Sequence, residues 1–191
     1  MANRDSLRGL TPVHGLGNGA DGFATTRYKK EASVILAPGD PVVLTGSAEA
    51  TTGIALVTRA VGSEGSTATI TGVVAAIDPV RTALNQKHLA AADAGYVHVW
   101  DDPHMLFVVQ DDGASDTLAV TDVGSGGDLV VGNANTTIGR SIVELDTSTV
   151  GTDAQVQVLG VVQREDNSIA ANVDVIVRIN EHTFNAAGTL I

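Results

Sequence analysis

Two short stretches concentrate the side chains that could do chemistry. "HVWDDPH" holds His98, Asp101, Asp102 and His104 within seven residues. Imidazoles and carboxylates together are donors that a divalent metal takes. Binding would require His98 and His104 to face each other across a hairpin whose turn is Asp-Asp-Pro. The plainer reading is turn chemistry flanked by solvent-facing strand histidines. "DDGASD" gathers Asp111, Asp112, Ser115 and Asp116, oxygen donors of the kind calcium prefers. The EF-hand spacing is not met, because the twelfth position is Asp122 rather than glutamate, so this reads as an acidic turn. Gly15, Gly17 and Gly19, and the run "GSGGDL", do not match a phosphate-binding loop; neither follows a strand and opens a helix. No Gly-x-Ser-x-Gly elbow occurs. With no cysteine there is no thiol nucleophile, disulfide or cysteine-based metal centre. The 22 acidic residues make carboxylate pairs uninformative about glycosidase chemistry. Trp100, Tyr28, Tyr96, Phe23, Phe107 and Phe184 are the only aromatic residues, too few for a sugar platform or for stacking single-stranded nucleic acid. The expectation is a protein without catalytic residues or cofactor, whose only candidate metal ligands are His98, Asp101, Asp102 and His104.

The elements that would position these residues are strands. Hydrophobic residues make up 43% of the chain and aromatics 3%, so the core must be built from Val, Ile, Leu and Ala. β-Branched residues favour strands, and 21 glycines supply turns. Short apolar or alternating runs recur at 32–36, 41–46, 53–61, 66–77, 118–120, 128–131, 141–145, 155–163 and 173–180. "YVHVW" and "MLFVVQ" on either side of Asp-Asp-Pro predict a hairpin, and Gly160 predicts a bulge. Residues 80–94 are the one stretch that could form a helical turn or two. The expected fold is all-β, a β-sandwich, jelly roll or barrel of short antiparallel strands. The expected division is an extended arm over residues 1–26, a β domain over 27–184 and a tail over 185–191. No apolar run approaches the roughly 20 residues that span a bilayer, and no signal peptide is visible. The chain is therefore expected to be soluble and made in a cytosol.

Charge is unevenly placed. The formal net charge is −11, which predicts repulsion from nucleic acid and anionic membranes. Residues 1–30 hold five basic and two acidic side chains, a net +3; the remainder holds six basic and twenty acidic, a net −14. The first 26 residues also carry no hydrophobic period. This predicts an arm that docks on an acidic surface of another molecule, with Arg4 and Arg8 as polar anchors and Leu10, Val13 and Leu16 as apolar ones. Removing residues 1–20 is then expected to leave folding intact. Trp100 is read as partly buried core, or as an anchor at a subunit interface.

Four stretches, in order, resemble one protein family. "MANRDSLRGLTPV", "GDPVVLTG", "YVHVWDDPHMLFVVQ" and "VLGVVQREDNSIAANVDVIVRINEHTF" are similar to the capsid decoration, or cement, proteins of tailed bacteriophages, from residue 1 to about residue 184. The resemblance implies a non-enzymatic virion protein on the outer capsid surface, made in the host bacterial cytoplasm. Its partners would be the major capsid protein and further copies of itself. A homotrimer follows from the threefold and quasi-threefold junctions of capsid lattices and the prevalence of cyclic symmetry. The family carries no catalytic residues over to this chain. The alternatives are a phage tail or fibre protein that binds a host surface, and a polysaccharide-active β-sandwich enzyme, for which "HVWDDPH" would be the only dense site.

Overall fold

A computed structural model describes residues 3–15, 23–60, 69–113, 117–151 and 154–185. Among the described residues there are eleven strands: β1 (Thr11–Gly15), β2 (Thr26–Lys30), β3 (Pro41–Ala48), β4 (Ala55–Arg59), β5 (Gly72–Ile77), β6 (Tyr96–Trp100), β7 (Met105–Gln110), β8 (Gly126–Val130), β9 (Glu144–Gly151), β10 (Val156–Val161) and β11 (Asp174–Ile179). A single 3-10 turn, Val120–Asp122, is the only helical element among the described residues. The all-β class read from composition and periodicity is the observed one.

The strands form two bodies. Strands β2-β4-β3-β5-β6 close into a barrel, and β1-β7-β11-β10-β8-β9 form an open six-stranded sheet. Alternation decides which side chains fill each core. In β6, Val97 and Val99 are fully buried inside the barrel, while Tyr96, His98 and Trp100 lie on its outer face. In β11, Val175, Val177 and Ile179 point into the sheet's core together with Phe107 and Val109 of β7. Strand β5 serves both bodies. Val73 belongs to the sheet's core and its neighbour Val74 to the barrel's, each with no exposed surface. The bodies thus share a wall of backbone, and two adjacent valines seal it from opposite sides.

Three expectations are corrected. β6 and β7 do not form a hairpin: β6 pairs with β2 and β5 of the barrel, whereas β7 pairs with β1 and β11 of the sheet. Asp101–His104 is the crossover between the bodies. Residues 80–94 form turns and isolated bridges rather than helix. With no strong cap and only loose apolar spacing, the long-range bond of the Leu89 amide to the Leu36 carbonyl prevails there. Residues 118–120 carry no strand; the turn from Val120 replaces it. The bulge expected at Gly160 is present, as a register shift between Val158 and Gly160 opposite β11. The tail beyond Asn185 lies outside the described residues.

Candidate functional site

The residues of "HVWDDPH" are held apart. His98 projects from the barrel and its Nε2 lies 2.9 Å from Asp78 Oδ1. Asp101 Oδ2 accepts the Tyr28 hydroxyl at 2.8 Å, and Asp102 Oδ1 accepts the His104 amide at 2.8 Å. Among the described residues no group of three or more His, Asp or Glu side chains is placed to hold a metal ion. The expected meeting of His98 and His104 required a hairpin, and the crossover removes it. The histidine that feels Asp101 and Asp102 is His182, 1% exposed, whose pKa burial lowers while those carboxylates pull it upward. Of the proposed calcium ligands, Ser115 and Asp116 lie outside the described residues. Asp111 Oδ1 accepts the amides of Gly113 and Asn172 at 2.7 and 2.8 Å.

The N-terminal segment makes many polar contacts, and they are made to its own body. The Asn3 side-chain amide donates to the carbonyls of Ser168 at 2.8 Å and Ala171 at 3.0 Å, and its Oδ1 accepts the Ser168 amide at 3.0 Å. The Gln110 side chain acts as a surrogate peptide. Its Nε2 donates to the Arg4 carbonyl at 2.9 Å and its Oε1 accepts the Ser6 amide at 2.7 Å. Arg8 pairs with Asp174 Oδ1, while Arg164 reaches Asp174 Oδ2 at 2.9 Å. Asp174 itself is 1% exposed, so two guanidinium groups neutralise one buried carboxylate. The Leu10 amide donates to the Gly39 carbonyl at 3.1 Å and its side chain, 1% exposed, sits in the sheet's core. Residues 11–15 then form β1, an edge strand antiparallel to β7.

This strap passes close to both bodies, and two glycines make that possible. Gly9 has φ +61°, and a Cβ there would lie 2.4 Å from Ser141 Cβ and 2.6 Å from the Gly39 carbonyl oxygen. Gly39 has φ +95°, and its Cβ would lie 2.6 Å from the Arg8 carbonyl oxygen. Two backbones touching at left-handed positions leave no room for side chains. Beneath them lies Asp40, fully buried, with Oδ2 accepting the Ala37 amide at 2.8 Å. Burial pushes its pKa up to about 6, against the opposing pull of Ser141, the Ala37 amide and Arg59.

The expected arm is therefore corrected from Asn3 to Gly15: it lies on its own chain, and residue 26 is not the boundary between arm and body. Arg8 and Leu10 are consumed inside the fold. Arg4 and Val13 are exposed, Val13 by 39%, as is Leu7 by 38%. Leu16 lies outside the described residues. The electrostatic reason is plain. The acidic surface that the basic N-terminal region meets is its own: Arg8 meets Asp174, Arg27 meets Asp78 and Lys29 meets Glu49. Lys30, 3% exposed, gives its ammonium to the carbonyls of Glu31, Val34 and Ala91. Trp100 is partly buried against the sheet's core and meets Phe23 edge to face at 6.4 Å.

The residues that sequence reasoning missed are Asn3, Gln110 and Asp174. One signal was present for Gln110, a polar residue at the end of an otherwise apolar strand. Comparison with protein-family models, with curated proteins and with solved structures finds no match to this chain.

Proposed function

We propose that this chain is a virion structural protein of a tailed bacteriophage, a decoration protein. It binds the outer face of the capsid and cements neighbouring major capsid proteins, as a homotrimer and without catalysis. The observation that carries the reading beyond the resemblance is the docked strap. It holds exposed Arg4, Leu7 and Val13 on backbone already fixed by Asn3, Gln110, Asp174 and the buried Leu10. A backbone ordered before binding avoids the ordering cost that a free arm would incur, about 1–2 kcal/mol for each residue fixed. Cement acts through many copies of a modest contact, and preorganisation strengthens each copy. The acidic remainder supports solubility at high copy number.

The test uses capsids of a phage encoding this chain, purified from a mutant lacking it. Wild-type protein is expected to bind saturably at the outer surface, with occupancy counted by electron microscopy and by co-sedimentation at rising salt. A variant combining Arg4→Ala, Leu7→Ala and Val13→Ala changes only exposed side chains, so it folds. It is expected to bind at least about tenfold more weakly, since each truncation removes roughly 0.5–1 kcal/mol at a partly exposed contact. Failure of the wild type to bind removes the decoration role. Unchanged binding by the triple variant removes the strap as the contact surface.

A further inference from the structure

The strap crosses a group of carboxylates. Gln110 fixes Arg4 and Ser6 from either side of Asp5, and so sets Asp5 beside the end of β7. The next two residues, Asp111 and Asp112, are stitched to β9. The Asp112 amide donates to the Leu145 carbonyl at 3.0 Å, and Asp111 bridges Leu145. That contact brings in Glu144, the residue before Leu145. The backbone thus brings four acidic residues from three elements into one neighbourhood, Asp5 from the strap, Asp111 and Asp112 from just beyond β7, and Glu144 from β9, and the charges of the first three act on Glu144. Asp111 is fully buried, and its Oδ2 makes no hydrogen bond. The arrangement differs from the strap's other anchors, which are neutral amides or oppositely charged pairs.

We infer that this group is a proton-operated latch: uptake of one proton at Glu144 seats the strap over residues 3–8, and its loss loosens them. Burial first, and then the charges of Asp5, Asp112 and Asp111, together raise Glu144 from the ordinary value to about 7. The groups acting on Glu144 are all anionic, from the strap and from the end of β7. Asp111 is itself pushed upward by burial, against the amides of Gly113 and Asn172. The sign follows. A carboxyl whose pKa is higher with the strap seated than with it lifted binds its proton more tightly in the seated form. The seated form is therefore favoured at low pH, and the advantage fades as pH rises through about 7. Only the part of the shift that depends on the strap contributes, chiefly Asp5 and the water that the strap excludes. The latch is a property of the chain alone and holds whether or not it binds a shell.

Hydrogen exchange of the Ser6 amide, which donates to Gln110 in the seated form, corrected for its intrinsic rate, reads the opening equilibrium between pH 5.5 and 8. Over that range opening is expected to rise about three- to tenfold, a change of up to roughly one pKa unit. Glu144→Gln and Asp5→Asn are each expected to cut this rise by at least half. Asp5 is exposed, so Asp5→Asn folds even if Glu144→Gln does not. Asp40 lies beneath Gly39 and is pushed up to about 6; it is unchanged in both variants, and its share of the slope is what remains. A flat wild-type profile overturns the latch. So does either variant that folds and keeps the full wild-type slope.

Discussion

Leu10→Ala distinguishes a docked strap from a free arm. Leu10 is 1% exposed and packs in the sheet's core. The substitution removes three carbons. At ~0.8 kcal/mol for each buried methylene equivalent, the transfer loss is about 2.4 kcal/mol. Leu10 packs within a cluster drawn from both bodies, including Ile70 and Val73 from the barrel side and Phe107 and Val143 from the sheet side, so the site closes poorly around the cavity. The total is expected to reach about 3–4 kcal/mol, inside the roughly 2.7–5 kcal/mol seen for buried leucines. Urea unfolding followed by far-ultraviolet circular dichroism measures it. With a slope of about 2 kcal/mol/M the midpoint falls by roughly 1.5–2 M. Leu7→Ala, at an exposed position of the same strap, is the control and should stay within about 0.5 kcal/mol of wild type. If Leu10→Ala also falls within that range, the strap does not contribute to the core and the packing argument fails.

Other outcomes follow from the same contacts. Gly9→Ala places a Cβ against Ser141 and the Gly39 carbonyl at a positive φ; it should cost at least about 2 kcal/mol and lower the melting temperature by roughly 5 °C or more, and an unchanged melt would refute the close approach. Asp174→Asn leaves Arg8 and Arg164 without their shared buried carboxylate and should cost about 2–4 kcal/mol by urea titration, while Arg164→Gln alone, on an exposed side chain, should leave the urea midpoint nearly unchanged. Asp40 has its pKa raised from 3.8 to about 6 by burial, so its contribution favours the fold at low pH and is lost as pH rises from about 4 to about 6; relative to Asp40→Asn the wild type should lose up to about 3 kcal/mol across that window, and a constant difference between the two from pH 4 to pH 7 would refute the assignment. Deletion of residues 1–20 should destabilise the whole chain instead of merely abolishing binding, because it removes Leu10, β1 and the Arg8–Asp174 pair; cooperative unfolding with wild-type stability would contradict this.

The strand content was legible because β-branched alternation is a local signal. "VDVIVRIN" and "QVQVLGVVQ" specify strands whatever surrounds them, and Gly160 marks its bulge. Pairing was not legible. "YVHVW" and "MLFVVQ" carry a hairpin's pattern, yet each is completed by distant partners, β5 and β2 for one, β1 and β11 for the other. The register of a crossover is decided by which core receives each face, and that is a property of the whole chain. The strap was hidden for a related reason. Leu7, Leu10 and Val13 fit no strand alternation, and only Leu10 of the three is buried, so the sequence gives no sign that it enters a core. The charge asymmetry predicted docking on an acidic surface of another molecule, whereas Arg8, Arg27 and Lys29 pair with carboxylates of their own chain. Net charge does not say whose surface it is, and the buried position of Asp174 was not visible in a count of carboxylates.

The order of strands has a consequence for how the chain is made. Every barrel strand lies between residues 26 and 100, while the sheet combines residues 11–15 with residues 105–179. As the ribosome extrudes the chain, the barrel's five strands emerge consecutively and can close while synthesis continues. β1 is the first strand out, yet its partner β7 follows only after the barrel strands have emerged. β11, which sits between β7 and β10, arrives near the end. Until β7 emerges, Leu10 and β1 wait at the nascent N-terminus without the strand that β1 pairs with. Neighbouring ribosomes on one message would hold many such termini close together, each able to accept another's β7. Timing on the ribosome, as much as stability, then decides whether each N-terminus finds its own sheet.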